Sequence, residues 1–343
     1  MLTPVERVFK TIQLEATDIV PVDLHAFAMA AENSPYSMAE IFKSGELIAK
    51  TQMTFWKKFK HDMILLENGT TALAEAMGAQ VVYPENEVPK VIKPVLDRLE
   101  DVEKLSVPDP GSAATLPELL RATEIMVKEI GNGAFIVGRA DQGPFSLAAL
   151  LRGVDNFLMD LLAPEKRELL DRLLEICTLA TTKFALAQLE AGAHATSMGE
   201  SLAGPDLISP KMYEEFAQPY EKRVVDAVKE KNGIISLHIC GNSTGIIDLM
   251  VQTGAQILEI DEKVDLKVVK EAVKGKACLL GPVSPRVLRF GTAVEIEILT
   301  KKAMEIAGAD GGLILGPGCA LAPGTPEENI TAMITTAREY GIS

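Results

Sequence analysis

Eight times along this chain a short apolar run gives way to a stretch of helical periodicity, and few folds accept that cycle. The runs are "IVPVDLHAF" near residue 20, "DMILLEN" from 62, "AFIVGRAD" from 134, "ATSMGE" from 195, "IISLHICG" from 234, "ILEIDE" from 257, "ACLLGPVS" from 277 and "GLILGPGC" from 312. Apolar runs of this length read as buried strands, and a helix after each implies crossovers between parallel neighbours. In "SPKMYEEFAQPYEKRVVDAVKEKNG", for example, Ser209 is placed to cap a helix and Pro210 to open it. Eight strand–helix units in 343 residues predict an α/β chain folded as a (β/α)8 TIM barrel, with an open doubly wound sheet as the alternative.

No repeat, low-complexity tract or long linker divides the chain, so residues 1–343 read as a single barrel domain. The stretch from about 68 to 133 exceeds what one crossover needs; "AQVVYPENEVPKVIKPV" and "LEDVEKLSVPDPGS" suggest a hairpin and a helical insertion after the second strand, forming a partial lid over the C-terminal mouth. A net charge of −14 opposes nonspecific binding to nucleic acid or an anionic membrane. The opening residues carry Glu6, Arg7, Lys10, Glu15 and Asp18 and lack the apolar core of a secretory signal, and no segment has the ~18 uncharged apolar residues of a membrane span. A cytoplasmic location is the simplest reading. Four scattered cysteines fit reduced thiols better than a disulfide framework.

The residues able to do chemistry fall at strand ends. His238 and Cys240 stand two apart in "SLHICGNS", so strand alternation sends both to one side. Cys319 follows the eighth strand in "LILGPGCALAPGTP", and the inward ends of strands five and eight can meet across a barrel mouth. One imidazole and two thiolates suit Zn²⁺ and leave a tetrahedral position open; the 78 residues between Cys240 and Cys319 are too many for a zinc ribbon, so the pattern predicts a catalytic site assembled by the fold. Glu200, ending the fourth strand, is read as catalytic: a fourth ligand displaced by substrate, a partner of a ligand, or a base, with a solvated strand-end carboxylate as the plain reading. Asp261 is a weaker candidate, Ser284 follows the seventh strand, and His25 near the end of the first strand is worth following; His61 and His194 lack companions at ligand spacing. Cys177 and Cys278 are assigned to packing, and "GPGCALAPG" to turn geometry, because it lacks the Lys-Ser/Thr of a phosphate loop.

Taken together, "TPVERVFKTIQLEATDIVPV", "GPFSLAALLRG", "GPDLISPKMYEEFAQPY", "LHICGNSTGII", "GPVSP" and "GGLILGPGCALAPGTPEENITAM" resemble the uroporphyrinogen decarboxylase superfamily over nearly the whole chain. More specifically, they resemble its zinc-dependent, cobalamin-linked methyltransferase branch, which includes the methylcobamide:coenzyme M methyltransferases. The resemblance implies a (β/α)8 barrel and places the family's His-x-Cys and distant Cys on His238, Cys240 and Cys319. It implies that a zinc-activated thiol such as coenzyme M exchanges a methyl group with a corrinoid. That corrinoid, methylcobalamin, would ride on a partner protein, since the chain has no Asp-x-His-x-x-Gly motif; the C-terminal barrel face is the expected docking surface. The decarboxylases carry an Arg-rich N-terminal motif that grips porphyrinogen carboxylates, whereas residues 20 to 36 here, "VPVDLHAFAMAAENSPY", contain neither Arg nor Lys. A divergent tetrapyrrole decarboxylase remains the rival, beside a methyltransferase that loads Co(I) from a small methyl donor and a non-catalytic corrinoid or metal-binding protein. Arg139, Arg152 and Arg286 are the candidates for holding an anionic tail, with ordinary salt bridges as the competing explanation.

Overall fold

The computed structural model describes residues 1–32, 34–67 and 69–340. Its strands are β1 Met63–Leu65, β2 Gln80–Val82, β3 Lys90–Lys93, β4 Phe135–Gln142, β5 Ala195–Gly199, β6 Ile235–Ile239, β7 Ile257–Ile260, β8 Cys278–Val283 and β9 Leu313–Pro317. β1 and β4 to β9 form one parallel sheet in chain order. Two further residues join its edges: Val22 bridges Leu315 of β9, and Asp23 bridges Met63 of β1. The Asp23 N–H donates to the Leu315 carbonyl at 2.9 Å, and the Leu315 N–H donates to the Pro21 carbonyl at 2.8 Å. The curled sheet is thereby a closed (β/α)8 barrel.

This first stave is shorter than its apolar run suggests. Pro21 has no N–H to give, and His25 turns to a φ of 42°, outside the extended region, so the ladder ends within two residues. Elsewhere the strands behave as doubly covered ones should: every residue of β4, β5, β6, β7 and β9 is buried. Ser209 caps its helix by accepting the Met212 N–H, with Pro210 next. The helix then breaks, and Pro210–Phe216 is followed by Gln218–Glu230. Pro219 explains the interruption, because it lacks an N–H and disfavours helical geometry at the residue before it.

The barrel interior has two levels. Near the strand starts, Met63, Leu65, Phe135, Val137, Ala195, Ile257, Cys278, Leu280 and Ile314 cluster with Val5, Val8 and Ile12 of the Pro4–Ile12 helix. Positions 5, 8 and 12 share one face of that helix, so it plugs the N-terminal end with an apolar stripe. Thr3 and Glu6 form a capping box at its start, and Arg7 ties it down through ion pairs to Asp18 and Asp62. Above this floor the inward side chains become polar, and there the candidate site begins.

Between β1 and β4 lie the Ala72–Ala76 helix, an antiparallel β2–β3 hairpin, a short 3₁₀ helix Leu99–Lys104 and the Leu116–Ile130 helix. The N–H groups of Val95 and Leu96 both donate to the Leu151 carbonyl, at 3.0 and 2.9 Å, which fixes the exit of the hairpin against the helix that follows β4. Among the described residues, no helix is long and apolar enough to cross a membrane.

Candidate metal centre

Alternation along β6 turns Ser236 and His238 inward, and Cys240 follows just beyond the strand end. The register sets Gly199, His238, Glu259, Leu280 and Ile314 side by side across five strands, so Glu259 is the direct neighbour of His238. Cys319 arrives from the turn after β9. That turn packs tightly: Gly318 donates its N–H to the Val283 carbonyl at 2.8 Å, and a Cβ at position 318 would lie 2.6 Å from the Glu262 nitrogen. Gly241, with a φ of 83°, turns the chain away after Cys240, and its N–H is received by Asp261 Oδ2 at 2.8 Å. Asp261 also accepts the Lys263 N–H, so its carboxylate holds the loop beside the cysteines.

The result brings one donor atom from each of His238, Cys240 and Cys319 within 4.8 Å of the others. His238 Nε2 is 3.2 Å from Cys240 Sγ. Among the described residues no other three His, Cys, Asp or Glu donors gather so closely. A hydrogen bond from Cys319 pulls the Cys240 thiol below its ordinary pKa, and that bond together with burial pushes Cys319 up to about 12. Burial opposes charge on His238, but the hydrogen bond to Cys319 and the nearby Glu259 outweigh it and raise its pKa.

Beneath the trio, Glu259 and Arg139 anchor a buried network. Glu259 Oε1 accepts the hydroxyls of Ser197, at 2.6 Å, and Ser236. Arg139 Nη1 donates to Ser197 Oγ at 2.7 Å and lies 3.7 Å from Glu259 Oε2. His238 Nδ1 stands 3.3 Å from the Glu259 carbonyl and 3.8 Å from its carboxylate. His25 belongs to the same level, with Nε2 at 3.0 Å from Glu67 Oε2.

Glu200 is not among the three converging donors. Its carboxylate accepts the N–H groups of Phe145 and Ser146, at 3.0 and 2.8 Å, at the start of the Pro144–Arg152 helix. Burial raises its pKa to about 7. It is fully enclosed, so it is not a solvated strand-end carboxylate. Cys177 and Cys278 are buried, with thiol pKa values raised by desolvation. His194 Nδ1 accepts the Ile136 N–H at 2.9 Å, and His61 is buried, its pKa lowered by desolvation to about 3. Ser284 caps the Pro285–Phe290 helix. Arg152 is spent on Asp160 and the carbonyls of Leu96 and Asp97, while Arg286 is exposed.

Sequence reasoning passed over Glu259 and Glu67. The signal was present: a lone carboxylate inside a strand buried on both faces, as Glu259 is in "ILEI", must point at something polar.

Comparison with known proteins gives the family and the fold. The family model described as uroporphyrinogen decarboxylase (URO-D) matches residues 3–340. The methylcobamide:CoM methyltransferase MtbA of Methanosarcina mazei is 30% identical over 345 residues, covering 98% of each chain. The methylcobamide:CoM methyltransferase MtaA of Methanosarcina barkeri is 31% identical over 306 residues, 88% of this chain and 86% of its own. Among solved structures, a methyltransferase from Methanosarcina mazei superposes with a TM-score of 0.90 at 30% identity, covering 99% of each chain.

Proposed function

The chain belongs to the uroporphyrinogen decarboxylase family, and from that membership we propose that it moves a methyl group between a corrinoid on a separate protein and a thiol, using zinc held by His238, Cys240 and Cys319. The observation that carries this reading is the convergence of one imidazole and two thiols within 4.8 Å at the C-terminal end of the barrel, in a chain about 30% identical to enzymes named for methylcobamide and CoM. Zinc–sulfur and zinc–nitrogen bonds of about 2.3 and 2.0 Å set tetrahedral donors roughly 3.5–4 Å apart, so the trio fits the ion with little movement. When bound, zinc would lower the pKa of a thiol in its fourth position and keep it nucleophilic at neutral pH.

The chain's own residues prepare that position. Glu259 faces Nδ1 of His238 and leaves Nε2 for the metal. Ser197, Ser236 and Arg139 hold Glu259 in turn, and the apolar floor keeps water from entering beneath. Cys240 and Cys319, both partly exposed, look toward the mouth where the reactants arrive. In the transfer the acceptor sulfur attacks the methyl carbon; an S–C bond forms, the Co–C bond breaks, and its electron pair remains on cobalt as Co(I). We place the reaction in the cytoplasm, with the 1–343 chain acting as one barrel domain and the 68–133 insertion as its partial lid.

Two measurements test the reading. Elemental analysis should find about one zinc per wild-type chain and a loss in Cys319→Ala. Zinc-loaded protein should consume the absorbance of free methylcobalamin only when a thiol is supplied. A folded wild type that takes up no zinc would sink the proposal, and metal-independent porphyrinogen decarboxylation would establish its rival.

A further inference from the structure

The loop after β5 runs directly beside Cys240. Gly199 stands opposite His238 in the register, and the Glu200 N–H donates to the His238 carbonyl at 2.7 Å, so two residues further along each segment Ser201 and Cys240 come together. The approach is close: a Cβ at Gly204 would lie 2.7 Å from the Cys240 carbonyl oxygen. Three consecutive residues of this loop are stapled in place. The Glu200 carboxylate receives the N–H groups of Phe145 and Ser146, and the Leu202 N–H donates to Ser146 Oγ at 3.0 Å. Between them, Ser201 is gripped by Gln142, the buried last residue of β4. The Ser201 N–H donates to Gln142 Oε1 at 3.4 Å, and Gln142 Nε2 donates to Ser201 Oγ at 3.3 Å.

A serine oxygen that accepts from an amide still has its own proton to give. The sulfur beside it is the acceptor: the hydrogen bond with Cys319 first, and against burial one with the Ser201 side chain, draw the Cys240 thiol below its ordinary pKa. The bonds that reach Cys319 come from Cys240 and His238, inside the trio itself. When a metal occupies the trio, bonds among its members give way to metal–ligand bonds, and the one from Ser201 persists.

We propose that Ser201, positioned by Gln142, donates its hydroxyl proton to the Cys240 sulfur and makes the two zinc-bound thiolates unequal, Cys240 being quieted while Cys319 keeps its electron density. The proposal rests on the zinc reading above and adds a pair of positioning residues to it. A hydrogen bond to a thiolate is charge-assisted and occupies a lone pair that would otherwise attack an electrophile. A methyl group brought to the site meets the acceptor sulfur and two ligand sulfurs, and the bond withdraws Cys240 from that competition.

The test treats zinc-loaded protein with iodoacetamide, so that sulfur attacks the reagent carbon and iodide leaves, and follows each cysteine by peptide mass spectrometry. Initial rates are read on singly modified chains. Cys319 should react at least about tenfold faster than Cys240 in the wild type, and Ser201→Ala should speed Cys240 about fivefold or more while leaving Cys319 within about twofold. Ser201→Thr, which retains the hydroxyl, should keep the wild-type rates. If Ser201→Ala does not fold or load zinc, Gln142→Leu serves in its place with the same expected change at Cys240. Cys240 reacting faster than Cys319 in the wild type, an unchanged Cys240 rate in a folded and zinc-loaded variant, equal acceleration of both cysteines, or Ser201→Thr behaving like Ser201→Ala would overturn the proposal. Zinc counted on the same samples separates it from the reading it rests on: a wild type without zinc defeats both, whereas full zinc with an unchanged Cys240 rate defeats the Ser201 bond alone.

Discussion

His238 can offer a metal either ring nitrogen, and the choice is made by what faces the other. With the Glu259 carbonyl at 3.3 Å and its carboxylate at 3.8 Å from Nδ1, the proton belongs on that side and Nε2 is free for the metal. Replacing Glu259 with Gln should therefore weaken zinc binding about 10–100-fold in competition with a chromophoric chelator, with the circular dichroism spectrum unchanged. An affinity equal to wild type would show that the carboxylate has no share in orienting the ring. Glu200 gives the opposite expectation. Since it receives two helix N–H groups, Glu200→Ala should lower stability by about 1–3 kcal/mol in urea denaturation and leave zinc content intact. The contrast marks what residue types disclose. The convergence of His238, Cys240 and Cys319 was legible because their chemistry is narrow and each stands at or just past the end of a barrel strand, whereas the partners of Glu200 were not, because a strand end does not tell which way a carboxylate turns.

At the scale of elements, two pieces do more than their length suggests. The Pro4–Ile12 helix is held to the barrel floor by Arg7, buried between Asp18 and Asp62. Removing one partner of such a pair strands the others, so Arg7→Ala should cost about 3–5 kcal/mol by denaturant titration. Hydrogen bonding to Arg7 holds Asp18 at about 2, below its unfolded value. Its stabilising share is thus complete above the unfolded pKa of about 4 and disappears as pH falls through about 2. The turn that carries Cys319 is the second piece. At Gly318 an added methyl would meet backbone, so Gly318→Ala should displace the thiol and reduce zinc per chain while the barrel stays folded. Periodicity located the helices and strands well, yet it missed the break before Pro219 and overextended the first stave. In both cases a proline or a turned backbone overruled an apolar pattern.

For the molecule as a whole, buried carboxyls should leave a signature in its stability against pH. Burial holds Asp23 and Asp141 at about 7, above their unfolded value. Between pH about 4 and 7 the unfolded chain has released protons that the folded chain keeps, so these two groups make stability fall as pH rises, levelling off above about 7. Asp23→Asn with Asp141→Asn should remove that share: the stability gap between variant and wild type should widen in the variant's favour from pH 5 to 7, measured by urea denaturation. A gap that stays constant would mean that neither carboxyl keeps its proton in the folded state. The barrel itself was legible in the strand–helix cycle, whereas the grouping of Asp23, His25, Glu67, Arg139, Asp141 and Glu259 was not, because they come from four separate runs and meet only when the sheet closes. That closure also governs timing. Among the described residues, the Pro4–Ile12 helix plugs the N-terminal end of the barrel and leaves the C-terminal mouth as the way in. On the proposed function, a small acceptor and a bulky corrinoid carrier would have to share that mouth, so the acceptor would have to be seated before the carrier docks, and turnover would acquire a compulsory order from architecture alone.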